Sequence, residues 1–105
     1  MKKIEAFIKP FKIEEVKKAL EKVGGRGITI SEAKGLGRQR RFTEVNTEVE
    51  YGDFLPKIKL EIILQDNLVD KAVEAIRSSA NTNRIGDGKT FVSSIETVMR
   101  IRTGE

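Results

Sequence analysis

The residues best suited to chemistry lie close to the C-terminal end of the sequence, in the run Gly86-Asp87-Gly88-Lys89. Glycine lets a backbone turn sharply and brings its N–H groups close to a ligand. Several such N–H groups beside a lysine ammonium make a concave site suited to phosphate. Gly-Asp-Gly is also common in ordinary turns. Taken alone, the run therefore predicts either a plain turn or an anion-binding loop.

The composition removes much of the usual catalytic chemistry. The 105 residues include no cysteine and no histidine, which excludes disulfides, thiolate nucleophiles, cysteine-bound metals and the commonest general base. The net charge of +4 favours phosphate-bearing small molecules and acidic partners, but does not by itself predict nucleic acid binding. No apolar run approaches a membrane span, and no signal-peptide pattern opens the chain. We expect a cytoplasmic protein and a binding role rather than an enzyme, although carboxylate or lysine chemistry stays open.

Hydrophobic periodicity predicts the elements that position this run. Alternation indicates strands over residues 3–9, 28–34, from 57 to 64, and 91–102, the second with Ile28 and Ile30 inward. Helical spacing indicates helices over 12–23 and from a cap at Asp66 or Asn67 to the turn formers that begin at Ser78. The order β-α-β-β-α-β predicts one α+β domain over residues 1–105, a ferredoxin-like sandwich of two helices on an antiparallel sheet.

The sheet face turned away from the helices is expected to be an oligomer surface. It would carry Phe7, Ala33, Ile63 and Val98 among polar residues, which is apolar for a monomer.

A long connection separates two of the predicted core strands, over residues 37–55. Loops of this length in a small domain are usually functional or disordered. Its alternation from Thr43 to Tyr51 fits either an extended ribbon or a mobile loop that becomes ordered on binding. Tyr51 is the single tyrosine of the chain and is expected to be exposed, so it is a candidate modification site as well as an ordinary surface residue.

Several separate motifs, in the right order along the whole chain, resemble the PII nitrogen-regulatory signal-transduction proteins. The motifs are Met1-Lys2-Lys3-Ile4-Glu5-Ala6, Lys9-Pro10-Phe11-Lys12, Gly35-Leu36-Gly37-Arg38-Gln39, Phe54-Leu55-Pro56-Lys57, Ile85-Gly86-Asp87-Gly88-Lys89 and Arg100-Ile101-Arg102-Thr103-Gly104-Glu105. The resemblance implies a ferredoxin-like homotrimer that binds ATP or ADP in clefts between subunits. It also implies that residues 37–55 are the T-loop, which docks onto a protein target such as a transporter, an enzyme or a regulator.

The resemblance also implies roles for individual residues. Residues 81–90 would form the B-loop, with Gly86, Asp87, Gly88 and Lys89 at the phosphates. Arg100 and Arg102, on one face of the last strand, would reach the phosphates from the neighbouring subunit. The adenine pocket would comprise Phe7, Thr29, Glu61, Ile62 and Ile63. The base of the T-loop, beside the phosphates, would be formed by Gly35, Leu36, Gly37, Arg38 and Gln39. Gln39 would help to hold magnesium, and Lys57 would pair with 2-oxoglutarate.

Some residues depart from the family pattern and change what we expect. Arg41 stands where the family usually has a glycine that lets backbone approach 2-oxoglutarate, so it predicts weak binding of that ligand. Asn46-Thr47-Glu48 replaces a Tyr-Arg-Gly whose arginine plugs an ammonium channel, which argues against that partner. Asn81-Thr82-Asn83 replaces Arg-Thr-Gly, and asparagine tolerates the left-handed conformation. The chain stops at Glu105, so we expect either a truncated chain or a shorter nucleotide clamp.

Other functions stay open at this point. One is a diverged PII-like adenine-nucleotide sensor that lacks the 2-oxoglutarate response and regulates another transporter or metabolic system. An RNA-binding ferredoxin-like domain would need exposed aromatics on the sheet, and we expect Phe7 to have no aromatic partner there. We therefore expect no direct contact with nucleic acid, and contact with a membrane only through a channel or transporter partner.

Overall fold

A computed structural model describes residues 1–35 and 55–105, which form four strands and two helices of a mixed α+β fold. The strands are β1 (Lys2–Ile8), β2 (Thr29–Gly35), β3 (Leu55–Leu64) and β4 (Gly88–Ser94). The helices are α1 (Ile13–Lys22) and α2 (Asp66–Ala80), and a short 3-10 helix (Pro10–Lys12) precedes α1. The predicted α+β class is confirmed.

The strands form one antiparallel sheet in the order β2-β3-β1-β4. Strand β1 is central, and its Ile4 lies opposite Ile62 of β3 and Val92 of β4. This order, with the helices as the crossovers, is consistent with the ferredoxin-like arrangement predicted from the sequence. It brings the ends of β1 and β3 next to the loop that precedes β4.

The core lies between one face of the sheet and both helices. Alternate residues of β1 and β3 and one stripe of each helix are buried together, as the alternation and the helical spacing predict. Each large aliphatic side chain buried here contributes about 1.5–3 kcal/mol relative to exposure. The buried core residues are Ile4, Ala6, Ile8, Val16, Leu20, Leu60, Ile62, Leu64, Val69, Ala72, Ile76 and Ala80.

The first helix ends where the sequence places its glycines. The N–H of Gly25 donates to the Leu20 carbonyl at 2.9 Å, and Gly24 has a φ of 95°. A Cβ atom on Gly25 would lie 2.8 Å from Cδ1 of Ile62 and 3.0 Å from the Leu20 carbonyl oxygen, so any other residue would force the buried Ile62 side chain to shift.

The second helix departs from the prediction at both ends. Its N-cap is Gln65, and no side-chain hydrogen bond caps it, so the predicted cap at Asp66 or Asn67 is wrong. The carboxylate of Asp66 instead pairs with the N-terminal ammonium of Met1 at 2.8 Å. The helix also continues through Ser78 and Ser79, whose hydroxyls donate to carbonyls of the preceding turn. These bonds satisfy inside the helix the hydroxyls that sequence statistics assign to turns.

The last strand also differs from the prediction, because it begins earlier and ends sooner. Its final residue, Ser94, lies opposite Lys2, the first residue of β1, so residues after Ser94 have almost no β1 residue left to pair with. Only the N–H of Ile95 still donates, to the Met1 carbonyl at 3.2 Å. The prediction of a strand over 91–102 is therefore correct only as far as Ser94 and wrong beyond it, so Arg100 and Arg102 do not lie on the strand. Arg100 instead closes a C-terminal turn, in which its carbonyl accepts from Gly104 at 2.7 Å.

Strand β2 forms one edge of the sheet and is covered less than expected. Ile30 lies opposite Leu60 and so faces the helix side, but 43% of it is exposed, because at this edge it borders an open cavity beside α1. Ile28 is partly buried against the core. Within residues 1–35 and 55–105, no helix is long and apolar enough to cross a membrane.

Candidate functional site

The loop between α2 and β4 begins with two asparagines, Asn81 and Asn83, that are joined by hydrogen bonds. The N–H of Asn83 donates to Oδ1 of Asn81 at 2.8 Å, and Nδ2 of Asn81 donates to Oδ1 of Asn83 at 3.2 Å. Asn83 has a φ of 61°, the left-handed conformation that asparagine tolerates better than most residues. The left-handed conformation expected at Asn83 is confirmed.

The same loop is anchored inside the protein by Asp87. Its carboxylate accepts hydrogen bonds from the N–H of Thr82 at 2.6 Å and from the Thr82 hydroxyl. It also pairs with the ammonium of Lys9 at 3.2 Å, and that ammonium donates to the Thr82 hydroxyl at 3.4 Å. Lys9 directly follows β1, so this cluster fastens the loop to the end of the central strand.

Asp87 keeps its negative charge at any ordinary pH. Partial burial raises the pKa of this carboxyl, but the hydrogen bonds from the Thr82 hydroxyl and N–H and the Lys9 ammonium outweigh it. Together they lower the pKa of Asp87 from 3.8 to about 2. The loop therefore contains a fixed carboxylate that is neutralised by a neighbouring lysine.

Two glycines flank Asp87, both with positive φ, 96° at Gly86 and 114° at Gly88. A Cβ atom on Gly88 would lie 1.6 Å from the carbonyl oxygen of Phe7, a distance that no side chain could occupy. Glycine is therefore required for β4 to start beside β1. The next residue, Lys89, lies opposite Phe7 in the ladder, on the sheet face turned away from the helices, which we call the open face.

A second lysine reaches the loop from β3. Lys57 is only 9% exposed, and its ammonium donates a hydrogen bond of 2.6 Å to the Gly86 carbonyl. The family resemblance predicts Lys57 as the partner of 2-oxoglutarate. In the structure, its ammonium holds the loop that contains Gly86 and Asp87.

The open face carries an aromatic pair next to Lys89. The rings of Phe7 and Phe91 meet edge to face, with centroids 6.3 Å apart and an angle of 81°. The expectation that Phe7 lacks an aromatic partner is therefore wrong. The reason is the early start of β4, which sets Phe91 opposite Glu5 and so on the same face as Phe7.

Four charged side chains occupy the centre of the open face. The ammonium of Lys3 lies 3.3 Å from Glu61 and 3.6 Å from Glu5, and that of Lys59 lies 3.4 Å from Glu5 and 3.8 Å from Glu61. The pKa of Lys3 is raised, chiefly by its hydrogen bond to Glu61. Partial desolvation raises the pKa of Glu5, but the two lysines lower it by more.

Four of the five residues predicted for the adenine pocket share the open face, and the fifth, Ile62, does not. Thr29 lies opposite Glu61 in the ladder, and both occupy the open face with Phe7 and Ile63. Ile62 has its side chain in the core on the opposite face, so only its backbone could reach a ligand there. Gly35 is the last residue of β2. Leu36, Gly37, Arg38, Gln39, Arg41 and Tyr51 lie outside the described residues.

The two C-terminal arginines lie away from the sheet ladder. Arg100 and Arg102 are exposed and form no ion pair within the described parts of the chain.

A cavity of about 380 Å³ opens behind residues 81–90 on the helix side, between Val73, Arg77 and Ala80 of α2 and Thr90 of β4. No cluster of carboxylates in residues 1–35 and 55–105 could hold a metal ion.

Lys9 and Thr82 are the residues of this site that sequence reasoning missed. Lys9 belongs to the motif Lys9-Pro10-Phe11-Lys12 and Thr82 to Asn81-Thr82-Asn83, but the sequence predicted no individual role for either residue. A weak signal was present, since an aspartate between two positive-φ glycines needs a donor to fix it. Nothing in the spacing shows that this donor comes from the end of β1.

Comparison with known proteins identifies the family. The sequence pattern of "Nitrogen regulatory protein P-II" matches residues 1–105. Proteins of that name from Azospirillum brasilense and Rhizobium meliloti are each 60% identical to the chain, and one from Mesorhizobium japonicum is 62% identical. Each alignment covers 100% of this chain and 95% of the relative. The chain belongs to the nitrogen regulatory protein P-II family, whose members are signal-transduction regulators.

Proposed function

We propose that the protein is a PII-type regulator of nitrogen metabolism that binds ATP and ADP in clefts between the subunits of a homotrimer. The observation that supports this most directly is the anchored loop with Gly86, Asp87, Gly88 and Lys89. Its path is fixed by the side chains of Lys9, which follows β1, and of Lys57 in β3. Such order reduces the entropy lost on binding.

The loop offers the donors that a polyphosphate needs. Within the described residues, the backbone N–H groups of Ile85 and Gly86 have no hydrogen-bond partner. Lys89 follows on the open face and forms no ion pair with a described residue. Backbone N–H groups beside an ammonium suit phosphate oxygens. Arg100 and Arg102 of a neighbouring subunit would add further positive charge.

The adenine base would lie against the open face. Phe7 offers an aromatic surface, Thr29 a hydroxyl and Glu61 a carboxylate, and Ile63 is 42% exposed. Phe91 is 51% exposed on the same face. Because exposed apolar residues of this size are unfavourable in a monomer, a second copy of the chain is the natural cover for the rest of this face.

Magnesium and 2-oxoglutarate are the remaining ligands that the family resemblance implies. The Gln39 amide oxygen would suit the magnesium ion that accompanies ATP. Lys57 would meet a 2-oxoglutarate carboxylate only by giving up or sharing its bond to the Gly86 carbonyl. This observation, with Arg41 in place of a glycine, favours a second candidate function: an adenine-nucleotide sensor without a 2-oxoglutarate response.

Residues 37–55 would act as the T-loop that contacts the regulated protein. The target would be a transporter, an enzyme or a regulator in the cytoplasm, reached without direct binding to nucleic acid or membrane. Tyr51 is the candidate for modification there.

Calorimetry with ATP on Lys89→Ala tests the nucleotide site. A charged hydrogen bond contributes about 1.5–3 kcal/mol, which corresponds to a loss of affinity of roughly 10- to 150-fold. Lys71→Ala on the exposed side of α2 removes the same charge away from the loop and should bind normally. Equal affinity in Lys89→Ala and the parent protein would rule out the proposed loop, and a monomer in light scattering would rule out the shared cleft.

A further inference from the structure

Asp87 uses both carboxylate oxygens inside the protein. Oδ2 accepts from the Thr82 N–H at 2.6 Å, while Oδ1 accepts from the Thr82 hydroxyl and pairs with Lys9 at 3.2 Å. About a fifth of each side chain of this ion pair is exposed. A carboxylate in this position does not bind a phosphate. It fixes the loop around it.

The loop needs such an anchor because of its glycines. Gly86 and Gly88 both have positive φ, and glycine gains the most conformational freedom when it is released. Gly88 is already held in the ladder opposite Ile8, where its backbone lies close to the Phe7 carbonyl. The path from Thr82 to Gly86 is held by the bonds between Asn81 and Asn83, by the bonds that Asp87 accepts and by the bond from Lys57 to Gly86.

The ammonium of Lys9 has a second effect, because it offsets a charge. An ionised carboxylate one residue from Gly86 and two from Lys89 repels an incoming anion. Lys9 neutralises that carboxylate at 3.2 Å and also donates to the Thr82 hydroxyl. Without it, the loop would be both less ordered and more negative.

We propose that Lys9 and Thr82 are positioning residues of the anion-binding loop, and that both act through Asp87. This inference rests on the proposed nucleotide binding. It assigns Asp87 to the support of the site rather than to contact with the phosphates.

Amide hydrogen exchange of the nucleotide-free protein tests the anchoring itself. In Lys9→Met, exchange at residues 82–88 should be at least fivefold faster, while the core of β3 keeps its parent rate. Lys9→Arg restores a charged donor and should bring exchange back toward the parent. Lys12→Met is the matched control, since it removes another ion-paired lysine, the partner of Glu15 at 3.4 Å. Unchanged exchange over 82–88 in Lys9→Met would overturn the proposal.

Calorimetry with ATP then tests whether Lys9 acts through Asp87. Lys9→Met should bind ATP about tenfold more weakly than the parent, and Lys9→Arg should recover most of that loss. In the Asp87→Asn background, Lys9→Met should cost little more, because the partner charge is already gone. A full tenfold loss in that background would mean that Lys9 contacts the nucleotide directly, which contradicts a positioning role.

The two experiments separate this inference from the proposed function. If the parent protein binds no ATP or ADP, the proposed function fails, whereas hydrogen exchange still decides whether Lys9 orders the loop. If the parent binds ATP and Lys9→Met binds it equally well, the nucleotide site stands and the positioning role is wrong.

Discussion

The ammonium of Lys57 donates a hydrogen bond of 2.6 Å to the carbonyl oxygen of Gly86, which joins the start of β3 to the loop before β4. Lys57 precedes Ile58 and Lys9 follows Ile8, and these two isoleucines are paired in the sheet. Two lysines at one end of the sheet therefore hold the same loop. Lys9 binds an ionised side chain, whereas Lys57 binds a neutral carbonyl that an anion could replace.

Replacing Lys57 with methionine should destabilise the protein by about 1.5–3 kcal/mol, the usual value of a hydrogen bond to a charged group. Methionine keeps the apolar stem and leaves the Gly86 carbonyl without this donor. Urea unfolding at matched protein concentration measures the change. Lys59→Met is the control on the same strand and face, where Lys3 still bridges the two carboxylates, so a smaller effect is expected. An equal loss of unfolding free energy in both variants would show that the bond from Lys57 to Gly86 does not stabilise the protein more than the ion pairs of Lys59 do.

Replacing Gly88 with alanine should be among the most disruptive single changes in the chain. The new Cβ atom would lie 1.6 Å from the Phe7 carbonyl oxygen, at a φ of 114°. The backbone conformation alone costs about 1–2 kcal/mol, and relief of the clash would separate β4 from β1. Thermal unfolding should show the loss. Gly104→Ala also has a positive φ but meets no atom within 4 Å, so it carries the backbone cost without the clash and should lower the melting temperature much less.

The strands and helices were predictable where one face of the element is buried. Alternation in β1 and β3 and the stripes of α1 and α2 follow directly from burial, so most of the fold could be inferred from the sequence. The extent of β4 could not, because it depends on where β1 begins and on the register between them. Because the predicted bounds of β4 were wrong, Arg100 and Arg102 were assigned to a strand and the contact between Phe7 and Phe91 was not predicted.

The candidate site was predictable in part for a similar reason. Glycine and lysine types in one short run indicate an anion-binding loop, and Asn83 was expected to take the place of a glycine. The bonds from Lys9 and Lys57 to this loop join residues far apart in the chain. Residue types and local spacing contain no information on such contacts until the sheet topology is known.

Acid should loosen the anchored loop over a defined pH range. The folded-state pKa of Asp87 is lowered from 3.8 to about 2, so its contribution is full above about pH 4 and is lost as the pH falls toward 2. Because the side chain is partly exposed, we expect about 1–2 kcal/mol, less than the full linkage value. Urea unfolding at several pH values should show a slope in the parent that is clearly smaller in Asp87→Asn, because Glu5 and other ion-paired carboxylates still contribute. Asp70→Asn on α2 should keep the full slope, and an undiminished slope in Asp87→Asn would contradict the assignment.

The response to 2-oxoglutarate should depend on Arg41. The family resemblance implies a glycine at this position, where backbone would approach the ligand, and an arginine side chain would take up that space. We therefore expect the parent protein to bind 2-oxoglutarate weakly in the presence of ATP and magnesium, and Arg41→Gly to bind it at least tenfold more tightly by calorimetry. Arg40→Gly removes the same charge from the neighbouring position and should not produce this gain. Tight binding by the parent, or an equal gain in both variants, would show that Arg41 does not exclude the ligand.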